Sequence, residues 1–506
     1  MTIHEGLIAA LKKEFPNHGF VENAGLQGYP IYRDGRPEKV VRDAPDDLML
    51  DFGVLNDLVQ RICDYNYMLL DKENVDELVY ILDRKTAAPK YASRSKELSI
   101  PKTPLEATQT TNPHLAWKRY FDANYTNPNS VAPVLENLSS IQRVPLPYNG
   151  YERPANWDQF LKNRHFKEFI SGVLCDAVFR QSKIPVGKSL VVLGPFGFAK
   201  KRNVHEELEL DECYKADYWE ADYMTVWIAN NFHRTHHITI YSKDGDVWMA
   251  NLLSQTRRII NVPTGDVDSV DFGGEVVVVR HWRERNTAFA YVNIGQLWRS
   301  IQKHAIALTS FVNNGSAEFR FNAPVATYVF TMLLLKNDYV EGFNWITPVR
   351  YFAALRKKLG LIGMPLVAGT ESADSLRVNC DAALRLVFYA YGEALPKLNV
   401  DPCDIDTTAH NVREQLNNRK SNKATFSLEL FKVAIANAHW FMSYMIAAQD
   451  GKLPSTGLET DKESGLSLHG YALQAEISDN NTYYGVLSVG RPLQVALEHL
   501  ALNNDK

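Results

Sequence analysis

The chain has few cysteines, and none of them lies close to another. The five cysteines include no Cys-x-x-Cys pair. Five widely separated cysteines show neither the paired spacing typical of zinc sites nor the dense pattern of a disulfide framework, so neither is expected here. Without a disulfide framework a reducing compartment is the default, and we expect an intracellular protein.

Long apolar runs are also missing. No stretch reaches the ~18 uninterrupted apolar residues that a membrane-spanning helix requires. The most apolar segment, 325–335, is interrupted by threonines. Residues 1–20 carry charges in every apolar run, which predicts a short amphipathic helix and not a signal peptide. We therefore expect a soluble protein of the cytoplasm, nucleus or nucleoid, or a viral protein inside its host cell, with no membrane partner.

A basic composition is absent too, since the formal net charge is −4. This charge does not exclude nucleic-acid binding, because a neutral protein can still carry one basic groove. The content of 45% hydrophobic and 23% charged residues is typical of a globular protein. A length of 506 residues is enough for two or three domains.

The first half of the chain alternates between strand-like and helix-like patterns. This alternation predicts an α/β fold with a central, mostly parallel sheet flanked by helices. Three predicted strands end in aspartate: 47–51 (DLMLD), 78–83 (LVYILD) and 238–244 (ITIYSKD). Ligands of open α/β sheets bind outside the carboxyl ends of the strands, so these aspartates indicate a site there.

The rest of the chain divides into recognisable segments. Residues 86–163 are polar and rich in proline, asparagine and tyrosine, which is typical of a long insertion. Apolar periodicity predicts helices at 220–232 and 324–335. Residues 361–506 are predicted to form a mainly helical carboxyl-terminal region, with a long helix at 424–449 and a strand-turn-strand at 471–489.

Each acidic residue near these elements has a structural explanation of its own. Asp-Gly-Asp at 244–246 is typical of a hairpin turn, and Glu220 and Asp222 suit the amino-terminal end of a helix. Asp51 and Asp83 could be helix caps. Asp338 could simply end an apolar helix.

Taken together, these acids indicate a different chemistry. Seven carboxylates near one point would repel each other strongly unless cations were present. Two Mg²⁺ or Mn²⁺ ions, which prefer oxygen ligands, would remove this repulsion. Such a pair of ions suits the in-line displacement of a phosphoryl group. The set is Asp51, Asp83, Glu220, Asp222, Asp244, Asp246 and Asp338.

Six segments resemble a known family, in the family's order and with similar spacing. They are IHEGLIAALKKEFP, LMLDFGVL, VYILDRKTAAPKYASR, EADYMTVWIA, SKDGDVWMANLL and LLLKNDYVEGF. The chain thereby resembles the flap endonuclease/XPG superfamily of 5′-nucleases, including the bacteriophage 5′-exonucleases and, more remotely, the Xrn-type exonucleases. The resemblance implies a PIN-like nuclease core at 1–360, with an arch-like insertion at 86–163 and a degenerate helix-hairpin-helix-like segment at 338–360.

The resemblance also implies roles for individual residues. Lys90 would hold the scissile phosphate, and Arg94 would replace a family arginine whose position here is Glu97. Asp51 would act mainly through water. The implied ligands of two metal ions are Asp83, Glu220, Asp222, Asp244, Asp246, Asp338 and Glu341.

Nucleic-acid binding has several candidate residues, and each has a structural alternative. After Asp338 the family's phosphate-binding glycines are replaced by Asn344, Trp345 and Thr347, which puts duplex recognition in doubt. The basic residues could equally form a solvated helix face or pack in the core. The candidates are Lys118, Arg119, Arg350, Arg356, Lys357 and Lys358, with a further basic cluster at 200–202.

The expected function is that of a divalent-metal-dependent 5′-nuclease acting on DNA in replication, repair or recombination. It would work as a 5′→3′ exonuclease or as a structure-specific flap endonuclease. Two alternatives remain open. One is a 5′→3′ exoribonuclease of the same superfamily, and the other is an inactive nuclease fold used for binding or assembly. The carboxyl-terminal region could also bind a protein partner.

Overall fold

The structure is a computed structural model that describes most of the chain. The described residues are 3–21, 32–84, 164–305, 317–337, 346–417, 435–451 and 471–488, with short gaps inside several of these ranges. The predicted insertion at 86–163 lies outside the described residues, as does most of the predicted helix at 424–449.

Two β-sheets are formed by the described residues. The strands, numbered in chain order, are β1 (Phe20–Val21), β2 (Glu38–Asp43), β3 (Val75–Ile81), β4 (Ser189–Leu193), β5 (Ala199–Arg202), β6 (Glu207–Leu208), β7 (His237–Tyr241), β8 (Val276–Arg283), β9 (Asn286–Asn293), β10 (Val367–Gly369), β11 (Leu376–Asn379), β12 (Tyr471–Ser478) and β13 (Asn481–Ser488). The large sheet has the order β1-β9-β8-β7-β2-β3-β4-β5-β6, and the small sheet has the order β10-β11-β13-β12.

The large sheet confirms the α/β class but is mixed, so the prediction of a mostly parallel sheet is wrong. Its centre, β8-β7-β2-β3-β4, is parallel. The four outer pairs, two at each edge, are antiparallel. Three of these pairs have a physical reason, since short turns follow β4, β5 and β8, and a short turn can only return the chain as an antiparallel neighbour. The fourth pair joins β9 to β1, from the start of the chain.

The strand predicted at 47–51 is also wrong, because the strand lies earlier in the chain, at β2. Asp47–Met49 forms a single 3₁₀ turn instead. The sequence of β2, EKVVRD, is mostly charged, yet all six residues are buried. The two positive charges are compensated inside the protein, since Lys39 pairs with Glu77 and Arg42 pairs with Asp47.

The described residues also form α-helices, numbered in chain order. They are α1 (Ile3–Glu14), α2 (Leu55–Leu70), α3 (Arg164–Gln181), α4 (Ala221–Phe232), α5 (Gly245–Ser254), α6 (Ile294–Ala305), α7 (Ala317–Leu333), α8 (Pro348–Ile362), α9 (Cys380–Ala394) and α10 (Ile405–Asn417). The predicted helix at 220–232 is α4, and the predicted helix at 324–335 begins earlier, as α7. Among the described helices, none combines the length and apolar character that a membrane crossing requires.

The two faces of the large sheet carry separate cores, because successive side chains of a strand point to opposite faces. Val41 and Val79 pack on one face with α4, α5 and residues of the carboxyl-terminal region. Val40 and Leu78 pack on the other face with α2 and α3. The core of the first face includes residues on both sides of position 360, where the sequence predicts a domain boundary. The predicted strand-turn-strand at 471–489 is present as β12 and β13.

Gly274 gives a direct test of the backbone packing beside β8. A Cβ atom at Gly274 would lie 2.1 Å from the carbonyl oxygen of His236 and 2.6 Å from that of His233. Gly274→Ala is therefore expected to lower the free energy of unfolding by about 1–3 kcal/mol, the usual cost of overpacking. Gly6→Ala is the control, since a Cβ there meets nothing within 4 Å in α1. Denaturant unfolding should show Gly6→Ala unchanged or more stable, and equal stability of the two variants would contradict this packing.

Candidate functional site

The carboxyl ends of β2, β3 and β7 lie side by side at one edge of the sheet. These strands are parallel neighbours, with Asp43 level with Ile81 and Arg42 level with Tyr241. The next strands in the chain, β3 and β4, lie on one side of β2, and the later strands β7 and β8 lie on its other side. The gap between β2 and β7 is therefore a topological switch point, where open α/β sheets bind ligands.

Asp83 connects the end of β3 to the amino-terminal end of α4. The backbone N–H of Ala221, the first residue of α4, donates to Oδ1 of Asp83 at 3.0 Å. The hydroxyl of Tyr218 donates to the carbonyl oxygen of Leu82 at 3.0 Å. These bonds place Glu220, which precedes α4, and the first turn of the helix over the carboxyl end of the sheet.

Asp222 is the centre of the group of acids. Its side chain is only 7% exposed, and its Oδ1 has no hydrogen-bond partner in the described part of the chain. Burial raises the pKa of Asp222 well above its ordinary value, and the charges of Asp244, Asp43, Asp246 and Glu220 raise it further. A buried carboxylate surrounded by like charges is unstable in its ionised form unless a cation is near.

Asp244 and Asp246 lie at the junction between β7 and α5. Asp244 immediately precedes α5, and Asp246 lies in its first turn. The Asp-Gly-Asp sequence therefore leads from a strand into a helix, and the hairpin-turn alternative is wrong. Both carboxylates lie at the positive end of the α5 dipole, which favours negative charge there.

Neither a family model nor a curated protein matches this chain. The function therefore has to be inferred from the side chains themselves.

The acids around Asp222 form an electrostatic group, which is not a closed set of metal ligands. Among the residues that the structure describes, no three or more His, Cys, Asp or Glu side chains have the arrangement of a metal site. Two of the predicted ligands, Asp338 and Glu341, lie outside the described residues. The observation that points to a cation is thus the buried, unpaired oxygen of Asp222 beside four other acids.

Asp43 is a residue of this group that the sequence analysis did not identify, since the aspartate that it predicts for this part of the site is Asp51. Asp43 is the last residue of β2 and is 6% exposed. Asp51 is exposed and lies beyond the 3₁₀ turn, where its carbonyl oxygen accepts a hydrogen bond from Arg61. The available signal was the valine pair at 40–41 with an aspartate two residues later, and the four charged residues of EKVVRD obscured it.

The other predicted site residues lie largely outside the described part of the chain. Arg350 is half-buried near the start of α8. The side chains of Arg356, Lys357 and Lys358, later in α8, are not described. Lys90, Arg94, Lys118 and Arg119 lie outside the described residues.

The three side chains of the basic cluster at 200–202 form ion pairs and hydrogen bonds with other residues of the protein. Lys201 lies 2.9 Å from Glu77 and 3.3 Å from Asp211, and Lys200 lies 3.1 Å from Glu207. The guanidinium group of Arg202 donates to backbone carbonyl oxygens at the end of α3. These contacts favour a structural role for the cluster over nucleic-acid binding.

The bond between Asp83 and α4 can be tested apart from the charge of Asp83. Asp83→Ala removes an acceptor at the start of a helix and is expected to lower stability by about 1 kcal/mol. Asp83→Asn keeps an acceptor oxygen, so its stability should fall less. Denaturant unfolding of both variants measures the difference, and an equal loss in both would show that the charge, and not the hydrogen bond, stabilises this junction.

Proposed function

We propose that the chain is a divalent-metal-dependent 5′-nuclease with a PIN-like core that hydrolyses phosphodiester bonds of DNA by a two-metal-ion mechanism. The observation that carries the proposal is the environment of Asp222. Its carboxylate is buried, one oxygen has no hydrogen-bond partner, and four other acids lie near it at the switch point of the sheet.

The donor set fits a hard divalent cation. All five groups are carboxylates, and carboxylate oxygens are the ligands that Mg²⁺ and Mn²⁺ prefer. When bound, two such ions would neutralise the acids, lower the pKa of an attacking water and stabilise charge on the attacking and leaving oxygens. Cation binding would also remove the cost of keeping Asp222 ionised in a buried position. The five groups are Asp43, Glu220, Asp222, Asp244 and Asp246.

The protein's own elements supply a rigid frame for these acids. Asp43 follows a fully buried strand, and Asp222 and Asp246 lie in the first turns of two helices that pack on the same face of the sheet. Sites built on strands and helices hold their side chains more precisely than sites built on loops. The acids can therefore keep their positions while a substrate is exchanged.

A panel of three labelled substrates distinguishes the proposed DNA cleavage from RNA cleavage and from inactivity. A 5′-flap DNA, a DNA with a recessed 5′ end and a single-stranded RNA, each labelled at either end, should be incubated with Mg²⁺ or with EDTA. We expect cleavage of DNA from a free 5′ end with Mg²⁺ and none with EDTA. Cleavage of RNA alone would favour the exoribonuclease alternative. Cleavage of neither, in a protein shown to be folded, would contradict the proposal.

Replacing Asp43 and replacing Asp51 are expected to have different effects on the cleavage rate. Asp43→Asn is expected to lower cleavage by about 10²-fold or more, because it removes charge from the group that would hold the cations. Asp51→Asn should cleave at close to the wild-type rate. Single-turnover cleavage of the same labelled DNA measures both, and the reverse order would mean that the family aspartate is Asp51 after all.

A further inference from the structure

Tyr223, the residue next to Asp222 in α4, has a buried hydroxyl group without a hydrogen-bond partner. The side chain is 2% exposed, and its hydroxyl oxygen has no hydrogen-bond partner in the described part of the chain. Buried hydroxyl groups nearly always have a partner, because leaving one unpaired costs stability. An exception beside a group of acids calls for a partner that binds there.

The ring of Tyr223 is held by two aromatic residues from the carboxyl-terminal region. The ring of Tyr444 lies 4.0 Å from it between centroids, and that of Phe441 lies 6.2 Å away at an angle of 85°. Such contacts restrict the ring without offering a partner for its hydroxyl group. The phenol is therefore fixed by residues more than two hundred positions further along the chain.

The hydroxyl group of Tyr223 is close enough to the acids for their charges to affect it. Burial raises the pKa of Tyr223 well above its ordinary value, and Asp246, Glu220 and Asp222 add to this shift together with Tyr444. A tyrosine hydroxyl group can donate a hydrogen bond, and Tyr223 directly follows Asp222 in the first turn of α4.

We propose that the hydroxyl group of Tyr223 donates a hydrogen bond to a non-bridging oxygen of the phosphodiester in the carboxylate site. This inference rests on the proposed nuclease function. A phosphodiester is an anion, so a site of carboxylates needs donors as well as cations to hold it in position. A fixed, buried phenol supplies such a donor without adding another charge, and a hydrogen bond to a charged oxygen is stronger in a buried site than in water.

The test compares Tyr223→Phe with a matched control, Tyr351→Phe. Tyr351 is 1% exposed, and its hydroxyl group also has no hydrogen-bond partner in the described part of the chain. Its pKa is raised by burial and by Tyr391, and no acid contributes. Both substitutions remove an unpaired buried hydroxyl, so both variants should melt at the wild-type temperature or slightly above it. Only Tyr223→Phe removes a donor from the site.

The expected result is a fall in kcat/KM of about 10- to 100-fold for Tyr223→Phe, the effect of one hydrogen bond to a charged group. Tyr351→Phe should cleave at the wild-type rate. Binding of a phosphorothioate oligonucleotide in Ca²⁺ should weaken in Tyr223→Phe, while the Mn²⁺ affinity of the free protein should not change. These two binding measurements do not depend on turnover.

Two results would overturn the inference. One is cleavage and oligonucleotide binding by Tyr223→Phe at wild-type levels. The other is a lower melting temperature for Tyr223→Phe alone, which would mean that the hydroxyl group already has a partner within the protein. Failure of the nuclease proposal would look different, since wild-type protein would then cleave nothing and bind no Mn²⁺.

Discussion

Asp222→Asn is expected to lower phosphodiester cleavage by about 10³-fold or more, while leaving the metal-free protein as stable as the wild type or more stable. The two effects have one cause. Asp222 is ionised at a buried position among Asp43, Asp244, Asp246 and Glu220 only at a cost in stability. Asparagine has nearly the same shape and removes this cost, but it also removes the central charge that would hold the cations.

The dependence of stability on pH follows from the raised pKa of Asp222. A carboxyl group whose pKa is higher in the folded than in the unfolded protein binds its proton more tightly when folded. Its contribution to stability is complete below the ordinary value of 3.8 and is lost as the pH rises through the folded pKa. Metal-free wild-type protein should lose stability over this range, and Asp222→Asn should lose less.

Melting curves from pH 4 to pH 8, with EDTA or with Mg²⁺, measure this effect. Mg²⁺ should raise the melting temperature of the wild-type protein at neutral pH and have little effect on Asp222→Asn, because a ligand stabilises only the state that binds it. A lower stability of Asp222→Asn in EDTA, together with an unchanged response to Mg²⁺, would show that Asp222 is a structural residue.

Glu77→Gln is expected to cause the largest loss of stability, about 3–5 kcal/mol, because it leaves the buried Lys39 without its anion. Glu77 lies in β3 and pairs with Lys39 and with Lys201. It also accepts hydrogen bonds from the hydroxyl groups of Tyr214 and Ser189. Lys39 is almost fully buried, so its charge cannot be compensated by water when Glu77 is neutral.

The lowered pKa of Glu77 makes the stability of the protein depend on pH in the opposite direction to that of Asp222. Burial alone would raise this pKa, but the charge and hydrogen bond of Lys39, the hydrogen bond of Tyr214 and the charge of Lys201 outweigh it and lower the pKa to about 2. Since the pKa of Glu77 in the folded protein lies below the ordinary value of 4.5, ionised Glu77 stabilises the folded protein fully above pH 4.5. This stabilisation is lost as the pH falls through about 2.

Glu207→Gln is the matched control for Glu77→Gln. Glu207 pairs with Lys200 at the exposed edge of the same sheet, and exposed ion pairs contribute only about 0–1 kcal/mol. Urea unfolding at pH 7 and at pH 3 measures both variants. A loss below about 1 kcal/mol in Glu77→Gln would mean that the lysines find other partners or become neutral.

Several elements could be predicted from the sequence because their patterns are local. The apolar spacing of 220–232 predicts α4, and the hydrophobic run of 78–83 predicts β3 and the aspartate that follows it. The position of Asp222 near the start of a helix also follows from local sequence, whereas the helix that begins at Gly245 was not predicted. Asp222 and Asp246 lie together in the structure because their strands and helices meet at one edge of the sheet.

Other features depend on contacts between distant residues and could not be predicted. The six residues of β2 are buried although four of them are charged, because Lys39 and Arg42 find acidic partners in β3 and in the turn at Asp47. Without those partners the same six residues would be typical of a loop, and Asp43 was missed for that reason. Tyr223 could not be recognised either, since its neighbours Phe441 and Tyr444 come from the far end of the chain.

The central claim is that acids from distant parts of the chain bind divalent cations together at the switch point of the sheet. A crystal structure with Mn²⁺, located by its anomalous scattering, tests this claim most directly. We expect Mn²⁺ within bonding distance of Oδ1 of Asp222 and of at least two of Asp43, Asp244 and Asp246. Crystals that contain Mn²⁺ elsewhere, with Asp222 paired only to protein atoms, would contradict it.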